Sequence, residues 1–225
     1  MLMQLDNILD FENSLIKDYI IEYENYWTFL RDLKSIIIKI GSNLDKQQYL
    51  EVKPNIWVSK TASVHPSAEI NPPCIIGAYT EIRVNAFIRG SVIIGDYCVV
   101  GNSSEIKNSI LFNEAKVPHF NYVGDSIMGY KAHLGAGAIT SNVKSDSSYI
   151  KIKLGGKNYE TNMKKIGSII GDNVEVGCNA VLSPGTIIGR NTNIYPLTMV
   201  RGEIEEDKIV KSQDNIVGKI KRKVL

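Results

Sequence analysis

Residues 58–106 read VSKTAS VHPSAE INPPCI IGAYTE IRVNAF IRGSVI IGDYCV VGNSSE I when broken every six residues. Each block opens on a branched aliphatic side chain: Val58, Val64, Ile70, Ile76, Ile82, Ile88, Ile94, Val100 and Ile106. Farther along, Ile170, Val176, Leu182, Ile188, Ile194 and Val200 repeat the step. Glycine follows the aliphatic residue at Gly77, Gly95, Gly101, Gly171, Gly177 and Gly189. A period this fixed is the mark of a repeat architecture. One hexad makes a short strand and a bend, with the aliphatic residue inward and the small residue at the turn. Three hexads make a triangular coil, and each coil is stable only when stacked on the next. The expected fold is mainly β, a left-handed parallel β-helix of hexapeptide repeats. Its hand is an exception to the right-handed crossover preference.

The rest of the chain is read from that array. Residues 1–50 have helical patterning: Ser14 to Ile21 form one candidate helix, and Leu30, Leu33, Ile37 and Ile40 share a face of a second. Gly41 is the expected C-cap. These helices form a small N-terminal cap, expected over an open end of the prism, where strand edges need cover. The β-helix domain is assigned to 51–205 and a C-terminal tail to 206–225. Within it the register slips. Met128 and Leu134 are in phase with the second array, but 128 − 106 = 22 is not a multiple of six, which puts the slip between Ile106 and Tyr122, beside His119. A second break, 141–168, has an alternating segment Tyr149–Leu154, a Gly155-Gly156 turn and a return Lys157–Asn162, so it is expected as an extruded loop. Loops on rigid scaffolds commonly carry ligand contacts.

With 225 residues, 44% hydrophobic and 22% charged, the composition is that of a globular protein. A net charge of +2 gives no electrostatic case for nucleic acid, and the basic end Lys219, Lys221, Arg222 and Lys223 reads as a solvated tail. The longest aliphatic run, Ile36–Ile38, is too short for a membrane span. Three scattered cysteines (Cys74, Cys98, Cys178) and the acidic Asp6, Asp10 and Glu12 where a secretory signal would be basic point to a cytoplasmic location.

The chemistry is concentrated in Lys107–Asn142, KNSILFNEAKVPHFNYVGDSIMGYKAHLGAGAITSN, which holds two of the three histidines. His119, after a proline and near Tyr122 and Lys107, is either a surface imidazole or a base able to take a proton at neutral pH. His133 precedes an inward Leu134 and so points outward. His65, in VHPSAEI, fills a bend. A zinc site needs converging ligands, and His119 and His133 are fourteen apart, so no metal is expected. Arg89, Lys107 and Lys165 are candidate phosphate ligands. Gly135-Ala136-Gly137 is a slender-ligand strip or a tight corner. No Walker loop or strand-linked GxGxxG occurs.

Together these residues resemble the acetyltransferase half of the bacterial bifunctional enzyme that makes UDP-N-acetylglucosamine. The matching pieces are His119 to Gly129, Leu134 to Asn142 and Ile169 to Asp172, and the match is gapless from Arg89 to Asn142. The resemblance implies transfer of acetyl from acetyl-CoA to the amine of an amino sugar carrying a phosphate or nucleotide. It implies His119 as general base and Arg89, Lys107, Tyr122, His133 and Lys165 as substrate contacts. It places Ala136, Asn142, Val143, Cys178 and Pro196 along the acetyl-CoA groove, in a homotrimer whose sites lie between prisms. There are departures: His133 stands where the family has asparagine, which bears on the acceptor's pocket, Val143 stands where it has tyrosine, and the loop 141–168 is longer. The first fifty residues have no room for the uridylyltransferase half, so no pyrophosphorylase activity is expected. The competing reading is a non-catalytic scaffold or sugar-nucleotide binder on the same fold.

Overall fold

The computed structural model of the protein describes residues 7–219. Twenty-five of its strands wind into three sheets, two of nine strands and one of seven, which form the faces of a triangular prism. Face A holds Cys74–Ile76, Val92–Ile94, Ser109–Leu111, Ile127–Met128, Ser168–Ile170 and Thr186–Ile188 among others. Face B includes Glu81–Ile82, Val99–Asn102, Lys116–His119, His133–Leu134, Glu175–Val176 and Asn193–Ile194. Face C includes Phe87–Ile88, Glu105–Lys107, Tyr122–Gly124, Ile139–Thr140, Val181–Leu182 and Met199–Val200. The chain passes from A to B to C and back to A. The hexad aliphatics fill the prism: Ile76, Ile82, Ile88, Ile94, Val100 and Ile106 are all buried in one core with Ile170, Val176, Leu182, Ile188, Ile194 and Val200. Burial at this density is the main favourable term for a repeat whose strands are only two or three residues long.

Register explains the phase change. Successive coils pair 18 residues apart at first, as Ile76 with Ile94 and Ile88 with Ile106. They then pair 17 apart, as Ile94 with Leu111, Val100 with Val117 and Ile106 with Val123. The slip is therefore not a single event beside His119. It is two five-residue steps, Ile106 to Leu111 and Val123 to Met128, with ordinary six-residue steps through Val117 between them. Both short steps lie at the corner where face C turns into face A. So does the extruded loop, across which Met128 pairs with Ile170, 42 residues on.

The helices lie on a flank, not on an end. Helix α1 is Lys17–Ile20, shorter than the Ser14–Ile21 segment expected, and α2 is Tyr26–Ser42. Trp27, Phe29, Leu30, Leu33, Ile37 and Ile40 of α2 pack on the outer side of face A, against Ile75, Ile93, Ile110, Ile127, Ile169 and Ile187. Face A is thus buried on both sides, which is why its strands read as unbroken apolar runs such as CII, VII and SII. Gly41 is not the C-cap. Asn43 is, and Gly41 stays in the helix because a Cβ there would lie 2.2 Å from the Trp57 ring.

The N-terminal end is edged by Tyr49–Lys53, antiparallel to Ile56–Ser59. At the other end the segment assigned as tail continues the prism. Val210 pairs with Ile194 on face B, and Lys208–Ser212 then folds back as a hairpin with Asn215–Gly218. Residues 221–223 of the basic run lie outside the described residues, as does Asp6. The extruded loop contains the expected hairpin, Lys151–Leu154 with Lys157–Glu160, turning at Gly155-Gly156 where both φ angles are positive. Its Ile152 and Leu154, with Ile150 and Ile166, join the helix-side core. Cys74 and Cys98 are buried, and burial raises both thiols, Cys98 to about 12.

Gly41→Ala sets two effects against each other. Alanine favours the helix by roughly 0.5–1 kcal/mol, whereas overpacking a buried indole costs about 1–3 kcal/mol. The clash should win, lowering the urea midpoint by an amount equivalent to about 1–2 kcal/mol with an unchanged slope. A stabilised Gly41→Ala protein would show that α2 is not seated on Trp57 as described.

Candidate functional site

The short steps bring a polar cluster together at the C–A corner. Asn108 and Asp125 occupy the two shortened turns, one coil apart, and both take positive φ (46° and 50°), a conformation that Asx residues tolerate. The Asp125 side chain is only 5% exposed. Its Oδ1 accepts from Asn108 Nδ2 at 2.8 Å. Its Oδ2 accepts from Asn142 Nδ2 and from Lys107 Nζ, the latter at 3.2 Å. Asn142 Nδ2 also donates to Tyr122 Oη at 3.2 Å. Tyr122 reaches it by lying across Gly124, where a Cβ would meet the phenol oxygen at 2.5 Å. Burial pushes the Tyr122 phenol up, and the charges of Asp125 and Glu105 add to that, so it remains a neutral donor. One coil earlier Arg89 Nη1 is held by Glu105 Oε1 at 2.7 Å, which raises the guanidinium further. Thus four expected ligands, Arg89, Lys107, Tyr122 and Asn142, share one edge of face C.

A second row runs along the B–C corner. His119 follows its inward residue Val117 by two positions, as Ala136 follows Leu134, Cys178 follows Val176 and Pro196 follows Ile194. Backbone bonds tie these levels: Gly137 N donates to the His119 carbonyl (3.0 Å), Asn179 N to Ala136 (2.8 Å) and Leu197 N to Cys178 (2.9 Å). His119, Cys178 and Pro196 are exposed, and Ala136 is half-buried. The glycines preceding Ala136 and Cys178 let the corners close. A Cβ at Gly135 would meet Cys178 N at 2.7 Å, and one at Gly177 would meet Pro196 N at 2.4 Å. The Gly135 and Gly137 amides donate to the Val176 and His119 carbonyls. Among the described residues the Ala136 amide between them makes no hydrogen bond.

His133 and His65 stand apart from both groups, whereas Lys165 and Val143 adjoin the C–A cluster through the backbone at Asn142. His133 faces outward from face B, with Nδ1 2.7 Å from Glu175 Oε2. His65 Nδ1 meets Ser67 Oγ at 2.8 Å in its bend. Lys165 is exposed, one residue before Ile166, whose amide donates to the Asn142 carbonyl at 3.1 Å. Val143 is exposed just beyond Asn142. Asp125, Asn108 and Glu105 were not singled out from sequence. The signal was available for the first two: a five-residue step from Val123 to Met128, and another from Ile106 to Leu111, each with an Asx residue at its bend.

Two family models match: the GMPPB C-terminal domain over residues 73–155 and the bacterial transferase hexapeptide (six repeats) over 167–202. The chain is 32% identical over 214 residues to the bifunctional protein GlmU of Methanococcus vannielii, covering 90% of this chain and 51% of that protein. It is 39% identical over 137 residues to GlmU of Methanococcus maripaludis strain C5, covering 61% of this chain and 33% of the relative. It is 29% identical over 210 residues to a bifunctional sugar-1-phosphate nucleotidylyltransferase/acetyltransferase of Sulfurisphaera tokodaii, covering 88% and 52%. The chain spans at most about half the length of these curated relatives. It is a hexapeptide-repeat β-helix that resembles their acetyltransferase part.

Asp125→Asn puts an amide N–H where Asn108 or Asn142 already donates, and it removes the Lys107 counter-charge. An unsatisfied buried group costs about 1–3 kcal/mol, so the urea midpoint should fall by an equivalent amount. An unaltered midpoint would mean that this carboxylate does not organise the corner.

Proposed function

We propose that this protein is an acyl-CoA-dependent transferase that acetylates the amine of an amino sugar bearing a phosphate or a nucleotide. The observation that carries the reading is the B–C row, where exposed His119 sits one coil below Ala136, whose backbone amide makes no hydrogen bond among the described residues. Across face C lies an edge rich in phosphate-binding donors, Arg89, Lys107 and Tyr122. The names of the relatives, GlmU and sugar-1-phosphate nucleotidylyltransferase/acetyltransferase, support the same class.

In this mechanism His119 takes a proton from the acceptor amine as its nitrogen attacks the thioester carbonyl carbon. The carbonyl π pair moves to oxygen, and the Ala136 amide donates to that oxyanion. When the tetrahedral intermediate collapses, the new C–N bond stays, the C–S bond breaks, and the proton held by His119 goes to the departing coenzyme A thiolate. The products are an N-acetyl sugar and free coenzyme A. A smooth row of Ala136, Cys178 and Pro196 suits a pantetheine arm, which offers few charges to recognise. No step of this scheme requires a uridylyltransferase site.

Within one protomer the B–C row and the C–A cluster sit on opposite edges of face C. A complete site would form where the row of one copy meets the cluster of the next, as in a homotrimer. The surfaces support this. Face A is covered by the chain's own helices, and face B carries polar pairs such as Arg83 with Glu81 and His133 with Glu175. The outward row of face C exposes Phe87, then Glu105 and Tyr122, and then an apolar run of Ile139, Val181 and Met199. Exposed apolar rows of this kind mark association surfaces.

Two measurements test the reading. His119→Asn should reduce acetyl transfer, followed as thiol release with glucosamine 1-phosphate and other amino sugars, by about 10²–10⁴ while leaving the thermal melt unchanged. Transfer at the native rate in that variant removes His119 from the mechanism, and absence of transfer with every acceptor favours a non-catalytic binder. Val181→Asp should shift the native mass from trimer to monomer and abolish activity with the fold retained. A native protein that is active as a monomer contradicts the shared site.

A further inference from the structure

Above the C–A cluster the extruded hairpin stands off the prism and leaves a groove of about 740 Å³. Its volume is in the range of small-molecule sites. Its walls are Ser141, Val143 and Lys144 at the root of the loop, Lys151, Lys153 and Asn158 on the hairpin, and Ser183, Gly185 and Arg201 on the next coils. Strand alternation decides what faces it. Ile152 and Leu154 are buried against the helix side, so Lys151 and Lys153 are turned to the other face, toward the groove. The hairpin is therefore a fixed wall, pinned by its apolar side, and Gly185 beneath it has no Cβ to collide with Ile150 (2.9 Å) or the Lys151 carbonyl (3.1 Å). The lining carries four cations and one carboxylate, Asp146, which already accepts from the Ser148 amide. Lys151 is paired with Glu160 at 2.6 Å. Lys153 and Arg201, from two different walls, have no carboxylate partner among the described residues. Two unpaired cations with serine hydroxyls between them, in a preformed groove, match a phosphorylated ligand.

The geometry points to this groove as the seat of the phosphate groups of the acyl-CoA cosubstrate, with Lys153 and Arg201 as their charged contacts. This rests on the transferase reading above. Val143 and Ser141 border the groove and flank Asn142, so it begins where the C–A cluster ends. An acceptor phosphate has its own donors in that cluster, Lys107 and Tyr122. The groove is left for the other phosphorylated partner of the reaction, whose nucleotide end carries a 3′-phosphate and a diphosphate.

The probe is adenosine 3′,5′-bisphosphate, titrated calorimetrically into the intact protein. Lys153→Ala and Arg201→Ala should each weaken its binding about tenfold, the loss expected for one charge-assisted contact, while Arg201→Lys retains most of it. Binding of glucosamine 1-phosphate should be unchanged in all three, and so should the thermal melt, since both side chains lie outside the core. In turnover the two alanine variants should raise KM for acetyl-CoA without lowering kcat, and should lose the wild-type preference for acetyl-CoA over its 3′-dephospho form. If the wild-type protein does not bind the bisphosphate, or if the alanine variants bind it as tightly, the groove is not this site. Loss of glucosamine 1-phosphate binding instead would assign the groove to the acceptor and overturn the proposal. If no acyl transfer is found but the variants still weaken bisphosphate binding, the transferase reading fails and the cosubstrate role of the groove is overturned with it, leaving a nucleotide-phosphate site. If transfer proceeds with KM for acetyl-CoA unchanged in the variants, the groove assignment fails and the transferase stands.

Discussion

The structure depends on one repeated contact, the stacking of a branched aliphatic side chain on its counterpart one coil away. Ile76 on Ile94, Ile82 on Val100 and Ile88 on Ile106 fix the parallel register of all three faces. Because that register is fixed, every other position is fixed in rows. Residues one before an inward side chain form outward rows, such as Phe87, Glu105, Tyr122, Ile139, Val181 and Met199 on face C. Residues two after it form the corner row of His119, Ala136, Cys178 and Pro196. Groups 17 to 42 residues apart in sequence thus become neighbours without any long-range contact designed for them individually.

The irregularities are not spread evenly. Coil length changes at the C–A corner: two five-residue steps, a 42-residue excursion, and a last step of four from Val200 to Ile204. Face A offers a physical reason. It is clamped between the prism core and α2, so its strands tolerate no slip, and the chain arriving from face C must take up any difference in length before it gets there. A corner that shortens without a glycine needs residues content with positive φ and a way to satisfy their polar side chains. Asn108 and Asp125 do both, and in doing so they gather Lys107, Asn142 and Tyr122 around one buried carboxylate.

Much of this was legible beforehand because a six-residue period is a local property that eight consecutive blocks repeat. The hairpin at Gly155-Gly156 was legible for the same reason, alternation ending in two residues that accept positive φ. What sequence left open was anything set by packing between distant segments. Gly41 reads as a helix stop, yet its role is set by Trp57, sixteen residues away. The helices read as an end cap because a prism end needs covering. The second apolar side of face A, visible in CII, VII and SII, was the clue that they belong on its flank. The site followed the same division. Arg89, Lys107, Tyr122 and Asn142 were found as residue types, but Asp125, which accepts from Lys107 and Asn142 and reaches Tyr122 through Asn142, emerges only once the short steps are counted. His133 was read as outward-facing, and its Nδ1 lies 2.7 Å from Glu175 Oε2, a partner 42 residues on that sequence does not point to.

The two groups of cations on this chain differ in a way that bears on what each can hold. On face C, Lys107 and Arg89 are already paired, with Asp125 and Glu105. Asp125 cannot be displaced cheaply, because its two oxygens also satisfy Asn108 and Asn142 at a site with little access to water. A phosphate at this edge must therefore add to the pairs, using the donors left over: an ammonium has three N–H groups and Lys107 gives one to Asp125. Such a site is preorganised and of low net charge, which favours positional selectivity over raw attraction. Lys153 and Arg201 are in the opposite condition, unpaired and nearer bulk solvent. They can take a multiply charged group with no internal competitor, but water and salt screen the attraction more strongly. The two groups of cations thus differ in electrostatic character: one is paired and held by buried hydrogen bonds, the other is open to solvent and without an internal counter-charge.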